Sequence, residues 1–356
     1  MVESDLAVGD DAVRAFKTRY WTTPGVGSEY HYLAYSSDPI TRMKNLTELG
    51  FVLRAIEGNR VLDAGAGTGR FTIPLRKAGL HVFAVDYSRE MLRTGIRAAT
   101  KQIVKMPAAV GDVFQLPFPD ASLDSVVSIT VIRHFPQWES ILAEYARVIR
   151  DDGAVIVEIA SGDQAAYLST YGMASDAPGP VTPMGFNAPV TLDSIADTAQ
   201  RVGLHIARIL PYDVLNDNAL LRAIHRGRYE NVVNEARKLL QHDGGIAAYD
   251  FIARTIFATV GPAALPSVLL VLRKSVPETA WEIPSAPVDP GVSTLGLDQL
   301  VAAAAYALGD QGAAIRERYE ALNANPTAHD FLDFLDQSLV RAVSPQIWTW
   351  RAPKHG

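Results

Sequence analysis

The chain has no cysteine in its 356 residues. Disulfides, thiolate metal sites and thiol catalysis are excluded at once. Basic residues are not in excess: 33 Lys and Arg stand against 39 Asp and Glu, for a net charge of −6. With no basic stripe, no nucleic-acid partner is expected. No apolar run is long and unbroken enough to cross a bilayer, so no membrane partner is expected. The opening MVESDLAVGDDAV is acidic and lacks the apolar core of a secretory signal, and a cytoplasmic location is expected. What is plentiful is hydrophobic side chain, 48% of the residues, enough for a large core. The length implies one full domain with additions.

The stretch VLDAGAGTGRFTIPL, Val61 to Leu75, carries the most information. An apolar strand ends in Asp63, passes Gly65, Gly67 and Gly69, and turns into a helix. Glycine permits sharp turns and lets a ligand lie on bare backbone. The helix start adds unpaired N–H groups. A dinucleotide fingerprint spaces its glycines G-x-G-x-x-G and holds a pyrophosphate there. Here the spacing is G-x-G-x-G, with a carboxylate two residues ahead of the first glycine. An anion in that place repels a diphosphate. It suits a ligand with an ammonium and a sulfonium, a description that fits S-adenosylmethionine.

Two more acids stand where such a ligand needs them. HVFAVDYSREML reads as a strand from His81 to Val85 closed by Asp86, then a helix capped by Ser88. An acid closing the second strand of a βαβ unit accepts from ribose hydroxyls. A short strand from Pro107 to Val110 precedes Gly111 and Asp112, and another runs from Leu123 to Ile129. Asp112 can accept from the adenine amine while the Val113 N–H serves a ring nitrogen. Gly-Asp is also a common turn pair, so the alternative to the preferred adenine role is Asp112 as a turn former. Phe114 and Leu116 are either adenine walls or core.

In DAGAGTG (Asp63–Gly69), Asp86, GDVFQLPFPDASLDSVVS (Gly111–Ser128), VIRHF (Val131–Phe135) and EYARVIRDDGAVIVEI (Glu144–Ile159), the chain resembles the class I S-adenosylmethionine-dependent methyltransferases of the ubiquinone-biosynthesis-like, small-molecule type. The resemblance implies an α/β, doubly wound, seven-stranded, mostly parallel sheet with the last strand antiparallel. It implies S-adenosylmethionine as cofactor and S-adenosylhomocysteine as product. Asp63, Gly65 and Gly67 fall at the methionine end, Asp86 at the ribose and Asp112 at the adenine. Ala66, Tyr87, Val113 and Thr130 complete the expected cofactor set. Arg133 departs from the His or apolar residue common in relatives.

Around the core (46–275) the chain divides into an N-terminal helical and aromatic lid (1–45), a helical insertion (215–260), a Pro-rich linker (276–292) and a C-terminal helical extension (293–356). Helices are predicted over Asp10–Trp21, Pro39–Ile56, Trp138–Arg150 and Leu192–Val202, and strands over His205–Pro211 and Ser267–Arg273. TTPGVGSEYHYLAYSSDP, Ser161–Pro189 and Asp151-Asp152-Gly153 read as turns or loops. Three terminal helices are expected near 295–308, 311–323 and 327–342. Their apolar faces, LVAAAAYAL among them, pack on their own core, cap the acceptor site or make a homodimer.

Methyl transfer from a sulfonium asks mainly for alignment and exclusion of water. A base is needed only where the acceptor must lose a proton. His134 follows the fourth strand on the acceptor side, and an ordinary imidazole pKa near 6.5 suits that role. The alternative is a His that stabilises its loop. Arg133 either holds an acidic acceptor or pairs with a nearby acid. Tyr20, Trp21, Tyr30, His31, Tyr32 and Tyr35 precede the core, and Tyr20, Tyr30, Tyr32 and Tyr35 are candidate walls for a small-molecule acceptor. Arg222, His225, Arg226 and Arg228 are either an anion site or a solvated helix face. The segment after the fourth strand reads SIT, with no Asp or Asn for Mg²⁺, so no metal is expected.

Overall fold

The computed structural model describes residues 10–321, apart from 36, 165, 167–186, 213, 216–217, 226, 242–244, 262–264, 276–296 and 308. Helices α1 (Asp10–Thr22), α2 (Val26–Ala34) and α3 (Pro39–Ala55) lead into β1 (Arg60–Ala64). The alternation continues through α4 (Thr72–Lys77), β2 (His81–Asp86), α5 (Arg89–Lys101), β3 (Ala108–Val110), β4 (Leu123–Ser128), α6 (Trp138–Val148) and β5 (Ile149–Ser161). Then come β6 (Pro189–Val190), α7 (Leu192–Arg201), β7 (His205–Tyr212), α8 (Ala219–Ile224), α9 (Tyr229–Leu239), α10 (Gly245–Val260) and β8 (Ser267–Arg273). Helices α11 (Leu297–Ala307) and α12 (Ala313–Ala321) follow. The linker 276–292, the helix expected near 327–342 and most of the 161–189 loop lie outside the described residues.

The strands form one sheet in the order β3-β2-β1-β4-β5-β8-β7, with the two-residue β6 beside β5. Strands β1 to β5 pair in parallel, and β8 runs antiparallel to β5 and β7. The seven-stranded, mostly parallel sheet is thus present, with β6 added. Because β1 pairs on one side with β2 and on the other with β4, the chain order reverses there. A crevice opens at the carboxyl ends of those strands, where ligands of open α/β sheets bind.

Side chains alternate between two buried faces. Leu62, Val126, Val155 and Val157 pack with Ile141, Leu142 and Tyr145 of α6 and Ile195 of α7. Val61, Val127 and Ile156 pack with Phe51 and Val52 of α3. Both faces being covered explains why β4 is buried at every residue.

Three sequence readings need correction. The segment taken as turn-rich after Trp21 contains helix α2. Gly27 lies within it, and a Cβ there would stand 2.9 Å from Thr94 Oγ1 and 3.1 Å from Glu90 O. Its glycine serves the close approach of α2 to α5. Helix α6 stops at Val148, and Asp151-Asp152-Gly153 belongs to β5. Gly153 is needed there because a Cβ would meet the Asp124 carbonyl oxygen at 2.8 Å, at an irregular register with β4. Of the C-terminal helices, α11 packs on α10 of the same chain and buries Leu300, Val301 and Ala304. Among the described residues no helix is long and apolar enough to cross a membrane.

Candidate functional site

Gly65 and Ala66 both donate their N–H to the carbonyl of Val85, at 2.8 and 3.0 Å, which ties the loop after β1 to the end of β2. Gly65, Gly67 and Gly69 have φ of 73°, 53° and 81°, in the left-handed region where glycine is favoured. The loop is then pinned by two acids. Thr72 donates N–H and hydroxyl to Asp63 Oδ2, at 2.9 and 2.6 Å. Gly67 donates N–H to Asp86 Oδ2 at 2.8 Å, and Ser88 donates N–H to Asp86 Oδ1 at 2.7 Å.

Beside this loop lies a cavity of about 200 Å³. Gly65 and Gly67 form its floor, Asp86, Tyr87 and Met91 one flank, and Ile129, Thr130 and Val131 the other. His134 and Phe135 close one end, and Trp21 and Tyr30 roof it from α1 and α2. Thr130 has φ 63°, a strained setting for a β-branched residue and one that recurs at functional sites. The roof is tied down by Ser88, whose hydroxyl donates to the Trp21 carbonyl, and by Tyr87, whose hydroxyl donates to the Lys17 carbonyl at 3.0 Å.

The electrostatics are those of two buried acids. Burial pushes Asp63 up to about 6, opposed by its bonds from Thr72 and by the Arg70 charge. Burial likewise pushes Asp86 up to about 6, opposed by the Ser88 and Gly67 N–H groups. Desolvation, then the charges of Lys17 and Arg133, pushes His134 down to about 3. Lys17 Nζ stands 3.4 Å from His134 Nδ1 and is itself lowered to about 8 by burial and by Arg133. The ordinary pKa assumed for His134 from sequence is therefore wrong here: its imidazole is neutral throughout the physiological range.

The predicted residues divide. Gly65, Gly67, Asp86, Tyr87, Thr130, Tyr30 and His134 meet around the cavity. Asp63 stands behind the glycine loop with its carboxylate turned to Thr72, so the acid that borders the cavity is Asp86. Ala66 and Val113 are buried beside the loop and after β3. Asp112 pairs with Arg14 at 2.8 Å. Tyr20 stacks on Phe16 and meets Trp21 edge-on. Tyr32 is 79% exposed and turned away. Tyr35 packs on His31 and borders a different cavity, with Arg70. Arg133 pairs with the buried Glu158 at 2.9 Å and donates to Asn187 at 3.0 Å. In the basic cluster, Arg222 lies over the Tyr229 ring and His225 bonds the Ala307 carbonyl, while Arg226 is outside the described residues.

Lys17, Met91, Ile129 and Phe135 were not singled out from sequence. Lys17 and Trp21 are four apart on α1 and so share a face, a signal that was there to be read. Among the described residues no three His, Asp or Glu side chains converge as metal ligands would.

Residues 62–157 match the methyltransferase domain family. The chain is 32% identical over 197 residues to malonyl-[acyl-carrier protein] O-methyltransferase of Erwinia billingiae, covering 52% of this chain and 75% of that protein. It is 38% identical over 103 residues to demethylmenaquinone methyltransferase of Renibacterium salmoninarum, covering 29% of this chain and 42% of that one. A crystal structure of magnesium protoporphyrin IX methyltransferase from Synechocystis with bound SAH aligns at a TM-score of 0.45 and 20% identity, over 55% of this chain and 91% of the other.

Proposed function

Since the chain belongs to the S-adenosylmethionine-dependent methyltransferases, we propose that it transfers a methyl group to a small-molecule acceptor at the cavity between the glycine loop and the α1–α2 roof. The observation that carries the reading is the single constellation of bare backbone at Gly65 and Gly67, the buried Asp86 carboxylate, and the Trp21 and Tyr30 rings. When bound, S-adenosylmethionine supplies a methyl already activated on a sulfonium.

The chain's own residues hold, orient and keep dry. Asp86 accepts from the ribose, Asp112 and Val113 receive the adenine, and the glycine loop takes the methionine end, with Asp63 bracing it through Thr72. Trp21 and Tyr30 exclude water and turn aromatic faces to a cation. In the same reading residues 46–275 form the catalytic core, with 215–260 inserted, and 1–45 cover it.

The acceptor's chemistry is narrowed by what surrounds it. Among the described residues that border the cavity, no side chain is poised as a base near neutral pH. Asp86 is engaged by two N–H groups, burial raises Tyr87, and His134 is held far below 7. The reading therefore favours an acceptor atom with a lone pair free at neutral pH, an aromatic or otherwise weakly basic amine that is unprotonated there, or an already ionised oxygen. With donor and acceptor both saturating, so that the pH dependence of donor affinity drops out, the profile of kcat against pH is expected to lack a limb near 6.5. His134→Asn changes its height and leaves its shape; a limb near 6.5 that disappears in the variant would restore His134 as the base.

Calorimetry with S-adenosylmethionine, S-adenosylhomocysteine and NADH tests the donor. The first two are expected to bind, and NADH is not. Asp63 and Asp86 ionise near 6 in the fold against an ordinary 3.8. Affinity for the cationic donor therefore rises from pH 5 to 7. Stability of the free protein moves oppositely: the contribution of these groups is full below about 4 and is lost as pH rises through about 6. Binding of NADH alone would move the protein to a nucleotide-dependent oxidoreductase.

A further inference from the structure

We propose that Arg14 closes the adenine subsite: its guanidinium takes the acceptor on Asp112 that the donor's adenine amine would use. The Arg14 side chain then has to withdraw before the donor seats. The inference rests on the adenine role given to Asp112 above, and it concerns a residue outside the stretch matched to the family.

The geometry is specific. Arg14 Nη2 donates to Asp112 Oδ2 at 2.8 Å. Its guanidinium carbon lies 4.1 Å from the centre of the Phe114 ring. The other carboxylate oxygen of Asp112 accepts the Phe114 N–H at 3.0 Å. A planar guanidinium with N–H donors along its edge presents the same features as the amino edge of a purine. Both seek a carboxylate at the rim and a ring face for the plane.

The cavity supports the same conclusion independently. It reaches the ribose position at Asp86 and Tyr87, and neither Asp112 nor Val113 borders it. Its volume of about 200 Å³ is below the range of about 300–1,000 Å³ usual for small-molecule sites. The space borders Asp86 and Tyr87 and stops short of Asp112, the residue that Arg14 engages.

The contact is built to release. The Arg14 and Asp112 side chains are 41% and 49% exposed. Exposed ion pairs are weak and screened by salt. The closed form lowers apparent affinity by the fraction of molecules that are open. Arg14 thereby sets donor affinity without touching the reacting atoms.

The test is calorimetric titration with S-adenosylhomocysteine, which carries no net charge, on wild type, Arg14→Ala, Arg14→Gln and Arg19→Ala. Arg19 lies on the same helix and controls for loss of a positive charge. Both Arg14 variants are expected to bind about two- to fivefold tighter, and Arg19→Ala to match wild type. Raising salt should tighten binding to wild type and leave the Arg14 variants unchanged. Unchanged or weaker binding by the Arg14 variants overturns the proposal and makes Arg14 a wall of the subsite. If wild type and every variant refuse both S-adenosylhomocysteine and S-adenosylmethionine, the methyltransferase reading fails first, and this one with it.

Discussion

Asp86→Ala is expected to weaken S-adenosylhomocysteine binding by about a hundredfold or more, since each hydrogen bond to a charged group contributes about 1.5–3 kcal/mol. Asp86 is 7% exposed and borders the cavity directly. Its loss removes the proposed ribose acceptor and also frees the Gly67 and Ser88 N–H groups that it holds at 2.8 and 2.7 Å. Thermal stability should change far less than affinity. Orphaning two N–H groups destabilises, but removing a carboxylate that burial pushes up to about 6 relieves a desolvation cost. Asp86→Asn keeps the shape and one acceptor oxygen, while its amide turns a donor toward one of those N–H groups. An intermediate loss of about tenfold is expected for it. Calorimetry checks the series, and an Asp86→Ala protein within threefold of wild type would remove Asp86 from the donor site.

Gly65→Ala is expected to act on the fold itself, with a loss of about 2–4 kcal/mol in unfolding free energy from left-handed strain together with overpacking. Its φ is 73°, and a Cβ would stand 2.4 Å from Val131 Cγ2. Val131 cannot yield freely: it is 8% exposed and follows Thr130, itself at φ 63°. Gly79 separates the two causes. It has φ 91° with nothing within 4 Å of its Cβ position, so Gly79→Ala reports strain alone. Adding Val131→Ala to Gly65→Ala should recover part of the loss, because the two sites are in contact and couple. Chemical denaturation of the four proteins measures each contribution. A Gly65→Ala protein no less stable than Gly79→Ala would show that the loop gives way where its packing says it cannot.

Much of the sheet could be read in the chain because its strands end in chemistry. Asp63 and Asp86 close apolar runs, and Ser267–Arg273 is a strand in the structure with the same bounds. Glycine was the weaker guide. Gly27 and Gly153 look like turn residues in sequence, yet one lies inside a helix and the other inside a strand, each admitting a neighbour that a Cβ would obstruct. A one-dimensional reading sees a flexible residue; only tertiary contact says whether the flexibility or the missing atom is what matters. Offsets from the glycine loop brought Gly65, Gly67, Asp86, Tyr87 and Thr130 to the cavity, whereas Asp63, Ala66, Asp112 and Val113, chosen in the same way, do not border it. The aromatic cluster was not legible, because its six rings diverge on α1, α2 and the turn after α2, and Trp21 and Tyr30 reach the cavity while Tyr32 and Tyr35 face elsewhere. His134 borders the cavity, but burial and the neighbouring Lys17 push its pKa down, and neither is visible from VIRHF.

The α1 cover is fastened by its main chain: Tyr87 and Ser88 grip the carbonyls of Lys17 and Trp21. A carbonyl is common to every amino acid, so these two anchors survive exchange of the side chains above them. The outer wall of the pocket can thus be rewritten along α1 while its attachment to the core persists, and a change in what the pocket admits need not begin with a loss of architecture.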